Sequence, residues 1–224
     1  MGPKSHHSTS ALVSKSTPVT VAIKKVETNV AEAVSAAMEI ARFRDHVPRS
    51  STVFLKVNLG WDLFLPGSVT NPAVFEAVVL ALKGHAGRIC VVESDQVLEN
   101  VERAFAKSQI SQISRRYGVS WINLSREKHI IRSIPENRVI RDVPVPEILT
   151  RGVLLTLPVM KTHNKSTVTL SLKNQWGCIP KMRHMYHLVL DDAIADVNAA
   201  LGAKFAVVDG PIAMEGNAPK TGHP

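Results

Sequence analysis

The tightest constraint on this chain is a rhythm in which short β-branched, apolar runs alternate with segments of helical periodicity. TVFLKV (Thr52–Val57), RICVVE (Arg88–Glu93), GVLLTLPV (Gly152–Val159) and FAVV (Phe205–Val208) read as strands. Between them, Asn71-Pro72 gives an N-cap with proline at the first helical position, opening a helix that stops near Gly84. Asn100 to Tyr117 reads as one long amphipathic helix closed by Gly118. Parallel neighbours need crossovers, so this order predicts an α/β fold with a largely parallel sheet and helices on both faces. The residue supply agrees: 45% of the chain is hydrophobic but only 5% aromatic, leaving a core of Val, Ile, Leu and Ala. Strands buried on both faces have that composition.

Weaker signals complete the pattern. Val19–Lys25 (VTVAIKK) predicts a first strand, and Asn29 caps a helix from Val30 to about Arg42. Ser120–Leu124 predicts a short strand, Lys128–Val145 an edge hairpin or flap, and Leu188–Leu201 a helix ending at Gly202. Residues 1–17 are polar and rich in Ser and His, without the apolar region of a secretory signal, and are expected to be a disordered leader. Residues 18–224 then form a single α/β domain. That domain is expected to be truncated, because the chain stops after a glycine-rich loop just past a central strand. No apolar run approaches the roughly 20 residues a membrane span needs. The two cysteines, Cys90 and Cys178, can make neither a disulfide framework nor a four-ligand cluster. A cytoplasmic protein is the expectation.

Ligands of open α/β sheets bind beyond the carboxyl ends of the strands. Four predicted strands end in polar residues: Asn58 and Gly60; Glu93, Ser94 and Asp95; Lys161, Thr162, His163 and Asn164; and Asp209 with Gly210. If the strands are parallel, these groups share one rim. Between Ile148 and Leu190 there is no Asp or Glu, yet Arg151, Lys161, Lys165, Lys173, Lys181 and Arg183 all fall there. These six account for most of a net charge of +8. An acid-free basic stretch rich in hydroxyls and amides suits a phosphate or carboxylate. Lys161 and Lys173 each follow apolar residues, and a lysine drawn toward a core loses pKa and can act as base or nucleophile. Lys165, Lys181 and Arg183 read instead as a solvated basic loop. His163 stands on the same side as Lys161 if the segment is extended and can shuttle a proton or bind a metal; a hydrogen-bonded structural role is the competing reading. His184 and His187, three residues apart, form a weak metal pattern without a local carboxylate. Cys178 reads as a small hydrophobe. The tail DGPIAMEGNAPKTGHP sets Gly210, Gly216 and Gly222 at equal spacing, with Glu215 and Asn217 beside the middle one. A glycine loop of this kind exposes N–H groups to anions.

Five segments then stand out together: KVNLG (56–60), PGSVTNP (66–72), VVESD (91–95), LPVMKTHNKSTVTLSLKNQWG (157–177) and VVDGPIAMEGNAPKTG (207–222). In this order they resemble the family called domain of unknown function 362. The resemblance implies an α/β fold, and the positions matching its motifs are Lys56, Asn58, Lys161, His163, Lys173, Asn174, Asp209, Glu215, Gly216 and Asn217. Many members carry ferredoxin-like cysteine motifs after this domain. The present chain has no CxxC, so no iron–sulfur ligands carry over. The family pattern also continues past a position like Pro224.

These readings converge on an enzyme acting on an anionic small molecule by Lys/His acid–base chemistry. Lys161, His163 and Asp209 are its catalytic candidates. The ligand-binding candidates are Lys56, Asn58, Glu93, Thr162, Lys173, Asn174, Gly210, Glu215, Gly216 and Asn217. A divalent metal held by Asp209 or Glu215 is compatible with this set; the cofactor itself is not specified. The alternative is a redox scaffold serving an iron–sulfur module outside this chain. Nucleic-acid binding ranks lowest, because stacking aromatics are not interleaved with the basic residues.

Overall fold

The computed structural model describes residues 19–62, 65–96, 100–218 and 221–224. The expected leader, 1–17, lies outside these residues. In chain order the elements are α1 (Val30–Ile40), α2 (Phe43–His46), β1 (Thr52–Lys56), α3 (Pro72–Leu82), β2 (Arg88–Glu93), α4 (Val101–Lys107), α5 (Gln109–Tyr117) and β3 (Ser120–Asn123). They continue with β4 (His129–Ser133), β5 (Asp142–Pro146), β6 (Val153–Thr156), β7 (Val159–His163), β8 (Thr167–Thr169), α6 (Ser171–Gln175), α7 (Leu190–Leu201), β9 (Phe205–Ala206), β10 (Asp209–Asn217) and β11 (Thr221–His223).

A five-stranded sheet in the order β3-β2-β1-β6-β9 is parallel at every junction. Alternate side chains of each strand serve opposite faces, as the pleat requires. Val53, Leu55, Val91 and Leu155 join Val34, Met38, Val74 and Val78 of α1 and α3 in one core. Phe54, Cys90, Val92 and Leu154 join Ala193 and Val197 of α7, with Val143 and Val145 of the β4–β5 hairpin, in the other. The α/β expectation therefore holds, with helices on both faces. Caps are where the sequence put them: Asn29 and Asn71 accept from Ala31 N and Ala73 N, and Gly118 and Gly202 take the left-handed conformation at helix ends. Among the described residues no helix is long and apolar enough to cross a membrane.

Four local expectations need correction. Residues 19–25 form no strand: Val19, Val21 and Ile23 are all exposed, and a β-branched run becomes a strand only where a neighbour completes its ladder. The helix expected over Asn100–Tyr117 breaks at Ser108, whose backbone is extended and whose hydroxyl donates to Phe105 O at 2.7 Å. The run Gly152–Val159 divides at Leu157-Pro158 into β6 of the main sheet and β7 of a second one. Likewise Phe205–Val208 is strand only to Ala206, and the supposed glycine loop after it is mostly strand β10. The second sheet has the order β11-β10-β7-β8, with β10 and β7 parallel and the other pairs antiparallel. Its effect is to carry Lys161 and His163 back over the carboxyl ends of β1 and β2.

Candidate functional site

An open pocket of about 420 Å³ lies beyond those strand ends, lined among others by Lys56, Asn58, Glu93, Lys161, His163 and Lys173. Its floor is an ion pair. Lys56, 1% exposed, reaches Glu93 Oε1 at 2.7 Å and Oε2 at 2.8 Å, and donates to Val57 O at 2.8 Å. Glu93 also accepts from Leu59 N at 3.2 Å and from Ser94 N at 2.9 Å. Both charges are thus compensated before any ligand arrives. Gly177 closes over the pair: a Cβ there would stand 3.0 Å from Lys56 Nζ and 3.1 Å from Glu93 Oε1.

Asn174 knits the wall together. Its Nδ2 donates to Lys56 O at 3.0 Å and Thr156 Oγ1 at 2.8 Å, while Oδ1 accepts from Asn58 Nδ2 at 3.4 Å. Asn58 N in turn donates to Thr70 Oγ1 at 2.7 Å, which closes the loop between β1 and α3 and presents Ser68 O inward. Lys161, 6% exposed, sits between these groups, 2.5 Å from Ser68 O and 3.2 Å from Asn58 Oδ1. Burial, then the neighbouring charge of Lys173, lowers its pKa to about 7. Lys173 falls to about 8 from burial and from the charges of Arg183 and Lys56. No ion pair or hydrogen bond engages Lys173 among the described residues.

His163 is a neutral donor. Its Nδ1 accepts from Lys165 N at 3.1 Å and Ser166 N at 3.3 Å, so the ring proton belongs on Nε2. Burial and the surrounding lysines hold its pKa near 4. Asp209 lies behind Lys161 and outside the pocket lining. Its Oδ2 accepts from Asn71 N at 2.6 Å at the start of α3, its Oδ1 has no hydrogen-bond partner, and burial raises its pKa to about 6.

The structure therefore gathers Lys56, Asn58, Glu93, Lys161, His163, Lys173 and Asn174 around one cavity, with Asp209 in the layer behind. It places the remaining candidates on the second sheet, outside the lining. Thr162 Oγ1 donates to Gly216 O at 2.8 Å, Gly210 packs against Met160, and Glu215, Gly216 and Asn217 pair with β11. Among the described residues no cluster of three His, Cys, Asp or Glu side chains is placed to hold a metal.

Several lining residues escaped the sequence reading. Arg183 is 1% exposed, which corrects its assignment to a solvated loop: Nη1 donates to Ile179 O at 2.5 Å and Nη2 to Asp95 O at 3.0 Å. It belongs to a 3₁₀ segment, Lys181–Val189, where residues three apart eclipse. His184 and His187 are accordingly 4.9 Å apart between ring centres, and both line the pocket. Burial lowers the pKa of each, that of His184 to about 4. Thr169 Oγ1, Trp176 Nε1 and His184 Nε2 are buried without hydrogen-bond partners. Cys178 is fully buried, and its thiol is pushed up to about 12, as expected of a packing residue.

Comparison with known proteins bears on the fold and the family. A family model described as Domain of unknown function (DUF362) matches residues 53–224. A thylakoid-associated protein of Synechocystis sp. is 30% identical over 86 residues, which is 35% of this chain and 27% of that protein. A crystal structure of a protein from Thermotoga maritima superposes with a TM-score of 0.50 at 12% identity, covering 88% of this chain and 54% of the other. The chain thus spans about a quarter of the curated relative and about half of the solved structure.

Proposed function

The chain belongs to the family described as Domain of unknown function (DUF362), and from that premise we propose an enzyme that binds a phosphate- or carboxylate-bearing small molecule and moves a proton through Lys161. One observation carries this reading: the pocket's cations outnumber its anions. Glu93 is spent on Lys56, whereas Lys173 and Arg183 face the same cavity with no carboxylate ion pair among the described residues. Buried or half-buried charge is costly unless compensated, and an anionic ligand is the missing partner. The unpaired Thr169 hydroxyl and Trp176 indole N–H add neutral donors of the sort an oxyanion accepts.

The roles follow from the bonding. Lys173 and Arg183 hold the anion. His163 donates from Nε2, and with a pKa near 4 it is no base at neutral pH. Lys161, poised to lose its proton near pH 7, is the base, and Asp209 behind it tunes that proton. This departs from the sequence-level picture, in which His163 shared the proton transfer.

Calorimetric titration of the protein with orthophosphate, malonate and, as an uncharged control, glycerol tests the reading. Binding is expected for the anions alone. Lys173→Gln should weaken it about tenfold, the scale of one charge-assisted hydrogen bond. Binding that is equal for glycerol, or unaffected by Lys173→Gln, would overturn it.

A further inference from the structure

Two lysines share this pocket and are bonded in opposite ways. Lys56 is gripped by both oxygens of Glu93 and by Val57 O, so three acceptors close around its Nζ. Lys161 has no carboxylate within ion-pair distance; its two partners, Ser68 O and Asn58 Oδ1, are neutral acceptors. The second is fixed in that sense, because Asn58 turns its Nδ2 toward Asn174 Oδ1. A neutral amine has two hydrogens and one lone pair. With both hydrogens taken, the lone pair is what Lys161 has left for the cavity it lines. Burial, with the charges of Lys173 and Lys56, outweighs the opposing pull of Glu93 and Asp209 and favours that amine near neutral pH.

We propose that Lys161 is a covalent nucleophile that captures the carbonyl carbon of an anionic aldehyde or 2-oxo acid as a Schiff base, while Lys173 and Arg183 take the anionic end. This inference rests on the anion-pocket reading above, names its substrate class, and gives the Lys161 lone pair to a C–N bond where that reading gave it to a proton. The lone pair of Nζ forms the new C–N bond as the carbonyl π electrons move to oxygen. Nitrogen then gives up a proton, the oxygen takes up two, that one and a second from solvent in the open pocket, and the C–O bond breaks with loss of water as the nitrogen lone pair forms the C=N bond. One amine, one carbonyl and one proton yield one iminium and one water, with no change of oxidation state. The iminium carries positive charge, so the anion that bound first stabilises it.

Reductive trapping decides the matter. The intact protein is incubated with glyoxylate and cyanoborohydride, in parallel with propionaldehyde, which lacks the anion, and labelled peptides are read by mass spectrometry. Lys161 is expected to react at least about tenfold faster than the other lysines with glyoxylate, as an activated amine should. Orthophosphate should protect it, and propionaldehyde should show a much smaller preference. Lys161→Gln should remove the fast site; Lys173→Gln should abolish the advantage of glyoxylate over propionaldehyde and, by removing a charge that opposes the Lys161 ammonium, slow Lys161 with both aldehydes. Labelling spread evenly over surface lysines with both aldehydes would overturn the proposal. If orthophosphate binds in calorimetry while Lys161 stays unlabelled, the nucleophile is wrong and the anion pocket stands. If neither occurs, both fail.

Discussion

Binding of an anion should draw protons from solution in an amount that the structure sets. In the free protein Lys161 titrates near 7 and Lys173 near 8, both depressed by burial and by neighbouring cations. At pH 8 Lys161 is therefore mostly neutral and Lys173 about half charged. Orthophosphate, which offers no carbonyl for Lys161 to capture, supplies the opposite charge both lack and raises both pKa values toward that of free lysine. Complete restoration would take up about 0.9 proton at Lys161 and about 0.5 at Lys173, or about 1.4 in all, at pH 8. At pH 6 both lysines are already charged, and their share of the uptake falls to about 0.1 proton. Titration with orthophosphate in buffers of different ionisation enthalpy measures this number directly. In Lys161→Met the uptake at pH 8 should fall to about half a proton, the part left to Lys173. Enthalpies independent of buffer at pH 8, or an uptake unchanged by Lys161→Met, would refute the assignment of the depressed lysines to the binding site.

Three further outcomes follow from the same geometry. Glu93→Gln leaves the buried Lys56 ammonium without its carboxylate and should cost about 3–5 kcal/mol in chemical denaturation, whereas replacing both residues by apolar ones should cost less. Gly177→Ala puts a methyl 3.0 Å from Lys56 Nζ and should cost about 1–3 kcal/mol by overpacking, with a matching fall in melting temperature. The pH dependence of stability should carry two opposite slopes. Lys161 is depressed in the fold, so its contribution is present above its unfolded pKa and is lost as pH falls through about 7; Asp209 is raised, so its contribution is present at low pH and is lost as pH rises through about 6. Denaturation curves across pH 4–10 read both, and Lys161→Met should flatten only the alkaline limb.

Much of this was legible in the sequence because strand ends are conspicuous. Thr52–Val57 and Arg88–Glu93 alternate side chains between two cores, so their β-branched runs leave little ambiguity, and the polar residues that follow must lie at the sheet's rim. Asn58, Glu93 and Lys161 were found that way, Lys173 from the acid-free basic stretch in which it follows apolar residues, and Lys56 and Asn174 through the family motif. Arg183 was not, because nothing local distinguishes a buried arginine from a solvated one. Its guanidinium is held by carbonyls, one of them Asp95 O, 88 residues away in the chain. The Glu215–Asn217 motif is conspicuous for a different reason. It forms the β10–β11 hairpin of the second sheet, whose existence depends on β7 leaving the first sheet at Pro158, a tertiary choice that periodicity does not record. Residues 19–25 show the converse, β propensity without a neighbour to pair with.

The central claim is that Lys161, Lys173 and Arg183 form one oxyanion site. A crystal of the protein grown in selenate, a tetrahedral oxyanion whose selenium scatters anomalously, tests it most directly. The account predicts an anomalous peak inside the pocket, within hydrogen-bonding reach of Lys173 and Arg183 and facing Lys161. Peaks confined to surface lysines such as Lys165 and Lys181, with the pocket holding only water, would contradict it.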